Sequence, residues 1–225
     1  PSMSDADSIV HDLFEQLGSK GEHMEPQRMG AAYSLARLGK QSPGYQLAAA
    51  EALGKGCSSE RESMRRASMY GAGAMGGEAM AAVLLPLMES DAKWRRKAAT
   101  FALGEGAPLT RPVVDALCRR LKVDESVYVR AVSAVALGCI YRRSVAAAAA
   151  GAGTEPAQTD TEALQSQVIS ALMTGLVEEE NRLDQGMRLP SRSGGGDRAF
   201  GLKMWRPNDE NDVCEGGAIT PPAVR

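Results

Sequence analysis

The stretch that decides the fold is KWRRKAATFALGEG, from Lys93 to Gly106. Its order of arginine, small residues and Ala-Leu-Gly returns in VYVRAVSAVALG, from Val127 to Gly138. Two segments with the same succession of basic, small and apolar residues are typical of an internal repeat built from amphipathic helices. The stretch therefore predicts one copy of a repeated helical unit, and its arginines belong first to that unit.

The composition favours an all-α protein. The chain has 225 residues, of which 44% are hydrophobic and only 4% aromatic, with 24 glycines. Close-packed helices with small contact residues suit this balance better than aromatic-rich strands do. The net charge of −2 gives no basic excess for phosphate binding, so nucleic acid is not an expected partner.

An acid at the turn before a helix is followed six residues later by a base, four times along the chain. The four pairs are Glu22 and Arg28, Glu60 and Arg66, Asp91 and Lys97, and Asp124 and Arg130. The bases lie 38, 31 and 33 residues apart, which is the spacing of stacked helical pairs. Counting back from Ala-Leu-Gly aligns Arg96 rather than Lys97 with Arg130, so either residue fills the third position.

These motifs resemble HEAT repeats, and particularly the HEAT-like repeats of phycobilisome bilin lyases. The resemblance covers about Asp5 to Arg143. It implies a right-handed α-solenoid of about four antiparallel helix pairs, in which the acids and bases form a ladder between neighbouring repeats. Such a pattern specifies a fold rather than a partner or a reaction.

The last third of the chain reads as a cap and a tail. An Ala/Gly-rich segment with a proline predicts a loop over about 144–160. The next helix has an apolar face of Leu164, Val168, Leu172 and Leu176, which is expected to pack on the last repeat. We therefore expect a helical repeat domain over 1–180 and an irregular tail over 181–225.

Metal, cofactor and membrane chemistry are not expected. The four cysteines are far apart in sequence and the chain has two histidines, so neither a zinc set nor another metal site is predicted. Free thiols indicate a reducing compartment, either the cytoplasm or another such as a plastid. The longest apolar run, from Ala79 to Met88, contains Pro86 and is too short to span a bilayer.

Arginine and aromatic residues at the helix starts are the candidate partner-binding residues. Tyrosine, tryptophan and arginine are the residues most enriched at binding hot spots. The candidates are Arg61, Arg65, Trp94, Arg95, Tyr128, Arg142 and Arg143. The competing interpretation makes the arginines solvated helix ends and places Trp94 between two repeats.

Two functions follow from this pattern. The first is a non-catalytic scaffold or assembly adaptor that binds another protein or a peptide through the inner surface of the solenoid. The second, implied by the resemblance, is a bilin lyase or pigment chaperone that would use the same groove. Other repeat families fit less well: the His-Glu pairs of the iron-binding deoxyhypusine hydroxylases are missing at His11 and His23, and the acidic balance disfavours an alkylpurine DNA glycosylase.

Overall fold

The structure, a computed structural model, describes residues 5–150 and 155–184, with side-chain exposure for 8–150 and 160–181. The described helices up to Glu180 belong to one compact unit. Within the described ranges there are nine α-helices and no strand, which confirms the all-α prediction. The helices are α1 (Asp5–Leu17), α2 (Glu25–Gln41), α3 (Gln46–Cys57), α4 (Glu62–Met75), α5 (Gly77–Leu84), α6 (Lys93–Gly106), α7 (Arg111–Val123), α8 (Val127–Ala149) and α9 (Glu155–Asp184).

Alternate helices pack side by side in two rows. In one row, which we call the even row, α2 packs on α4, α4 on α6, and α6 on α8. In the other row α1 packs on α3 and α3 packs on α5. The short 3₁₀ segment Leu85–Glu89 continues α5, and α7 packs against that segment. Consecutive helices also pair across the rows, α1 with α2, α3 with α4 and α7 with α8.

The core lies between the two rows and is built from leucine and small residues. Seven of the helices each contribute one leucine that is almost completely buried: Leu17, Leu35, Leu53, Leu84, Leu103, Leu117 and Leu137. Burying a leucine side chain stabilises a fold by roughly 1.5–3 kcal/mol relative to leaving it in water. Alanines between these leucines let the helix backbones approach closely.

The Leu-Gly pairs lie inside helices and mark close helix contacts. Gly54 is inside α3, and a Cβ built on it would stand 2.3 Å from Cγ1 of Val83 on α5. Gly104 is inside α6, and its Cβ would stand 2.7 Å from Cβ of Ala136 on α8. At both positions the helix continues beyond the glycine, and the missing side chain leaves room for the neighbouring helix.

Two sequence boundaries in the last third need correction. The predicted loop over 144–160 is shorter, because α8 continues through Ala149 and α9 begins at Glu155. Alanine has the highest helix propensity and proline is accepted in a first turn, so VAAAAA extends α8 and Pro156 sits at the start of α9. The tail predicted over 181–225 is helical as far as Asp184, and the rest of it lies outside the described residues.

One described helix, α8, is long and apolar enough to cross a membrane. The core helix of a soluble protein meets the same criterion. In this chain α8 packs against both α6 and α7.

Candidate interaction surface

In each helix of the even row, the arginine at the fourth position donates hydrogen bonds to backbone carbonyl groups of the preceding turn. Nη1 of Arg28 donates to the carbonyl groups of Ser19 and Gly21 at 3.0 and 2.8 Å. The same atom of Arg130 donates to the carbonyl groups of Asp124 and Glu125 at 2.8 and 3.2 Å. The four residues, which we call the turn arginines, are Arg28, Arg65, Arg96 and Arg130.

In the second helix of this row the turn arginine is Arg65, not the predicted ladder base Arg66. Nη1 of Arg65 donates to the carbonyl groups of Ser59 and Glu60 at 2.9 and 3.1 Å. Arg66 forms an ion pair with Glu25 on α2 instead. One residue along a helix rotates a side chain by about 100°, so Arg66 points toward α2 and Arg65 points toward the turn.

In the third helix Arg96 is the turn arginine, and it also links α6 to the turn before α8. It donates from Nη1 to the carbonyl groups of Ser90 and Asp91, both at 2.9 Å. Its Nε and Nη2 donate to the two carboxylate oxygens of Asp124 at 2.8 and 2.9 Å. The hydrogen bonds and charge of Asp124 raise the pKa of Arg96, which therefore stays cationic. Lys97, the alternative at this position, stands over the ring of Tyr128 at 5.6 Å.

The acids of the predicted ladder contribute in different ways. Glu60 and Asp91 accept through their backbone carbonyls from the arginine of the following helix, as described above. Asp124 is buried and adds its carboxylate, which binds Arg96 of the preceding pair and accepts from the N–H of Ser126 at 2.9 Å. Glu22 lies in an exposed 3₁₀ turn next to Gly21, whose carbonyl binds Arg28.

The last turn arginine, Arg130, forms an ion pair with Glu179 on α9. Its Nε and Nη2 donate to the two carboxylate oxygens of Glu179. Further contacts hold the same helix: Gln165 donates to Ser144 at 2.9 Å and Gln167 donates to Asp115 at 2.7 Å. Glu179 thus occupies for Arg130 the place that Asp124 takes for Arg96.

Trp94 lies between two guanidinium groups on the surface of the even row. Its ring centre is 4.5 Å from Cζ of Arg65 and 4.9 Å from Cζ of Arg95. The tryptophan is half-buried, and so are both arginines. The structure therefore brings three of the predicted partner-binding residues together, and it leaves part of the indole at the surface.

The other predicted partner-binding residues do not join this cluster. Nη2 of Arg61 donates to the carbonyl group of Gly18 at 2.6 Å. Arg143 donates to the carbonyl groups of Gly104 and Ala107 at the end of α6, at 2.6 and 3.0 Å. Tyr128 on α8 lies under the ammonium group of Lys97 on α6, and Arg142 is exposed. Arg61 and Arg143 therefore secure helix ends, where they satisfy carbonyl groups that a helix leaves open.

A row of large apolar side chains crosses the even row. Each member is the ninth residue of its helix, five residues after the turn arginine; the members are Tyr33, Tyr70, Phe101 and Val135. We call it the apolar row. Tyr33 and Val135 at its two ends are 47% and 55% exposed. Tyr70 and Phe101 meet edge to face, with ring centres 5.4 Å apart.

Charged groups border the apolar row. Arg66 and Lys97 lie one helical turn before Tyr70 and Phe101, and Arg37 lies one turn after Tyr33. Burial raises the pKa of Tyr33 and of Tyr70, and the negative charge of Glu105 raises both further. Both phenol groups therefore stay protonated at neutral pH, each with an O–H that can donate to a partner.

The fixed offset was the sequence signal for the apolar row, and it depends on knowing the turn arginine. Counted from Arg66, Tyr70 falls four residues along. Counted from Arg28 and Arg130, Tyr33 and Val135 fall five along, so the common register disappears. Correcting Arg66 to Arg65 restores an offset of five in all four helices. The error of one residue in the ladder thus concealed the surface.

The described residues contain neither a cluster of metal ligands nor, at Cys57 and Cys118, a thiol with a lowered pKa. Within 5–150 and 155–184, no three histidine, cysteine, aspartate or glutamate side chains converge as metal ligands. Burial raises the pKa of Cys57 to about 12 and that of Cys118 to about 11, so both thiols stay protonated and poorly nucleophilic at neutral pH.

No family model and no curated protein matches the chain. Three engineered proteins solved by the Northeast Structural Genomics Consortium resemble it in structure. The first is 18% identical, with a TM-score of 0.37 over 82% of this chain and 86% of that one. The second and third are each 20% identical, with TM-scores of 0.39 and 0.35, over 78% and 77% of this chain and 73% and 51% of theirs. At these TM-scores the likeness carries no weight for family or function.

Proposed function

We propose that this protein is a non-catalytic interaction scaffold, and that the exposed side of the even row binds a segment of another protein. The observation that supports the proposal is the apolar row: four helices each present one large apolar side chain in the same register. A contiguous apolar strip on the surface of a folded protein marks an interaction site more often than isolated exposed residues do.

The residue types of the strip suit protein binding. Tyrosine buries a large area with little loss of side-chain entropy and keeps a hydroxyl for hydrogen bonding. Trp94, in cation–π contact with Arg65 and Arg95, adds a rigid aromatic group next to positive charge. Because Arg37 and Lys97 border the strip together with Glu105, the bound segment is expected to carry charged residues of both signs beside its apolar ones.

We also propose that the four helix pairs are HEAT-like repeats of a right-handed solenoid. The turn arginines support this, since each is the fourth residue of its helix and binds the preceding turn through the same atom. They are spaced by 37, 31 and 34 residues, as expected of stacked helical pairs. In such an array the even row would form one continuous side, which is where solenoids bind partners.

Site-specific photo-crosslinking tests the scaffold function. The full chain carries a photoreactive phenylalanine derivative at Tyr33, is irradiated in cells that produce it, and the captured proteins are identified by mass spectrometry. The matched control carries the same group at Leu47, an exposed residue on α3 in the other row. A protein captured from position 33 and absent from position 47 supports the proposal.

The captured protein then provides a second test on the purified chain. Tyr33→Ser and Val135→Ser remove the two exposed ends of the apolar row, and binding of the captured protein should fall by about tenfold or more. Leu47→Ser should leave binding unchanged. Equal capture from positions 33 and 47, or binding that ignores both changes in the row, contradicts the proposal.

The pigment-binding alternative stays a prediction with a test of its own. A protein that holds a bilin in an extended shape shifts its absorption band to the red and narrows it. Titrating free bilins into the purified chain and recording the visible spectrum checks this, and an unchanged spectrum removes the alternative.

A further inference from the structure

Helix α9 carries a broad apolar arc, one side of which is packed and the other exposed, with the half-buried Leu172 between them. One side packs on the repeats, where Leu164 and Val168 are buried and Gly175 lies against Leu121. The other side carries the largest concentration of exposed apolar residues among those described. They are Ile169, Met173, Leu176 and Val177, and each leaves between 48% and 69% of its surface in solvent. We call these four residues the end stripe.

The end stripe faces away from the helices that hold α9. Its members are spaced by four, three and one residues, so they share one face of the helix. At about 100° per residue, the centre of the buried set Leu164, Val168 and Gly175 is offset by about 145° from the centre of the stripe, although the nearest members, Val168 and Leu176, are only about 80° apart. Leu176, expected from the sequence to pack on the last repeat, is therefore on the outside, and Gly175 takes the inner position.

In the described part of the chain the end stripe is left largely in solvent. An amphipathic helix needs only a limited apolar stripe to pack on one neighbour, with polar residues on the opposite face. The exposed part of the apolar arc on α9 is wider than that packing needs and therefore indicates a second packing partner. The partner proposed for the apolar row is a different one, because that row lies on α2, α4, α6 and α8 and the end stripe lies on α9.

Two carboxylates lie beyond the two ends of the end stripe, and their charge favours a partner with positive charge at the matching positions. Glu162 lies seven residues before Ile169, and Glu180 lies seven residues after Met173; both are exposed. Seven residues are two helical turns, so both acids are in line with the stripe, about 27 Å apart along the helix axis. An apolar strip with negative charge at both ends matches an apolar strip with positive charge at both ends.

We propose that the end stripe binds an amphipathic helix of another protein, whose apolar face is flanked by lysine or arginine at both ends. The partner helix lies along α9, packs its apolar residues on Ile169, Met173 and Leu176, and pairs its terminal bases with Glu162 and Glu180. This site is separate from the proposed scaffold surface, so one chain would join two different partners.

A second copy of this chain does not fit the same site. In an antiparallel pair of α9 helices, Glu162 of one copy faces Glu180 of the other, and in a parallel pair each acid faces itself. Like charges brought together destabilise an interface and act against that partner. The charge pattern therefore selects a basic helix over self-association.

Fluorescence anisotropy with designed peptides tests this on the full chain. The probe is a labelled amphipathic helix of about 21 residues with leucines at heptad spacing and lysines about 18 residues apart in line with them. The matched probe carries glutamates in place of those lysines. We expect the lysine probe to bind about tenfold or more tightly than the glutamate probe, and the difference to shrink with salt.

Three variants make the result specific to the site. The double change Met173→Ser and Leu176→Ser should abolish binding of the lysine probe, and because both side chains are exposed it should leave the unfolding midpoint unchanged. The charge swap Glu162→Lys with Glu180→Lys should reverse the preference, so that the glutamate probe binds more tightly. Tyr33→Ser should change nothing, which separates this site from the scaffold surface.

Three outcomes would overturn the proposal. The first is equal affinity for the two probes. The second is a charge swap that leaves the preference as it was, or lysine-probe binding that persists in the serine double variant. The third is a concentration-dependent dimer in analytical ultracentrifugation that the serine double variant abolishes, since the occupant would then be a second copy.

Discussion

Arg96 and Asp124 form a two-pronged ion pair inside the fold, with Nε to Oδ2 at 2.8 Å and Nη2 to Oδ1 at 2.9 Å. The side chains are 5% and 0% exposed. Arg96 also holds the turn before α6, while Asp124 holds the turn before α8 through the N–H of Ser126. One pair of residues therefore holds the turns before α6 and α8 and links these two neighbouring helices.

Arg96→Ala should destabilise the protein by up to about 3–5 kcal/mol, because the buried Asp124 carboxylate then keeps only a longer ion pair, with Arg120 at 3.5 Å. Arg96→Lys should recover only part of this, since an ammonium group cannot match both carboxylate oxygens. Urea unfolding followed by circular dichroism gives the free energies of unfolding.

Arg119→Ala is the matched control. Arg119 pairs with Glu89 at an exposed position, where an ion pair contributes about 0–1 kcal/mol. If Arg96→Ala costs no more than Arg119→Ala, the buried pair does not connect the repeats.

Gly104 and Gly138 test the close contact between α6 and α8. The two glycines occupy the same Ala-Leu-Gly motif, but a Cβ on Gly138 meets nothing within 4 Å, whereas one on Gly104 collides with Ala136. Gly104→Ala should therefore destabilise by about 1–3 kcal/mol through overpacking. Gly138→Ala should stabilise by up to about 1 kcal/mol, since alanine favours the helix. Equal effects in thermal melts would show that α6 and α8 can separate at no cost.

The all-α fold was readable from the sequence because its signals are local. The composition and the spacing of acids and bases indicated helices, and the structure has nine of them in the described ranges. The register was harder, because Arg65 and Arg66 are both arginines and chemistry alone does not separate them. Which one enters the turn depends on the direction of the helix, and that is fixed by packing.

The residues of the binding surfaces were harder to predict from the sequence for the same reason. Arg61 and Arg143 read as partner-binding groups, yet they bind carbonyls of Gly18 and Gly104, 43 and 39 residues away. Nothing local in the sequence announces such a contact. The exposure of Leu176 also follows from packing, because Gly175 is small enough to let α9 approach Leu121 and thereby turns its neighbour outward.

Cys57 should make stability depend on alkaline pH. Its thiol is buried, and desolvation raises its pKa from 9.0 to about 12 although Arg65 acts in the opposite direction. In the unfolded chain the thiol ionises first. Its contribution to stability is therefore complete below the unfolded pKa and is lost as pH rises toward the folded one.

Urea melts of wild type and Cys57→Ala across this range measure that loss. Between about pH 9 and 12 the wild type should lose up to about 1.4 kcal/mol per pH unit more than the variant. All other titrating groups are common to both proteins. Parallel pH profiles would mean that the thiol has no raised pKa.

Arg130 and Glu179 should hold α9 in place. Arg130→Ala removes two hydrogen bonds to the turn before α8 and the pair with Glu179, at a cost of about 1–3 kcal/mol. Glu179→Gln removes only the ion pair and should cost less. Hydrogen exchange provides the second measurement: in Glu179→Gln, amides of α9 should exchange faster while those of α4 stay as in wild type. Unchanged exchange in α9 contradicts the role of the pair.

The contact of Arg65 with Trp94 joins the fold to the proposed binding surface. Arg65 donates to the turn before α4 through Nη1 while its Cζ lies 4.5 Å from the ring centre of Trp94. In a double-mutant cycle, Arg65→Ala, Trp94→Leu and the double variant should give a coupling energy of about 0.5–1 kcal/mol, as a half-exposed cation–π pair does. The same cycle with Arg95, at 4.9 Å and on the same helix as Trp94, serves as the comparison. Arg65 has a second role that Arg95 lacks, so Arg65→Ala alone should cost more than Arg95→Ala alone. A coupling energy of zero with Arg65 would mean that the tryptophan is positioned by its own helix only, and that the turn arginine acts on the turn alone.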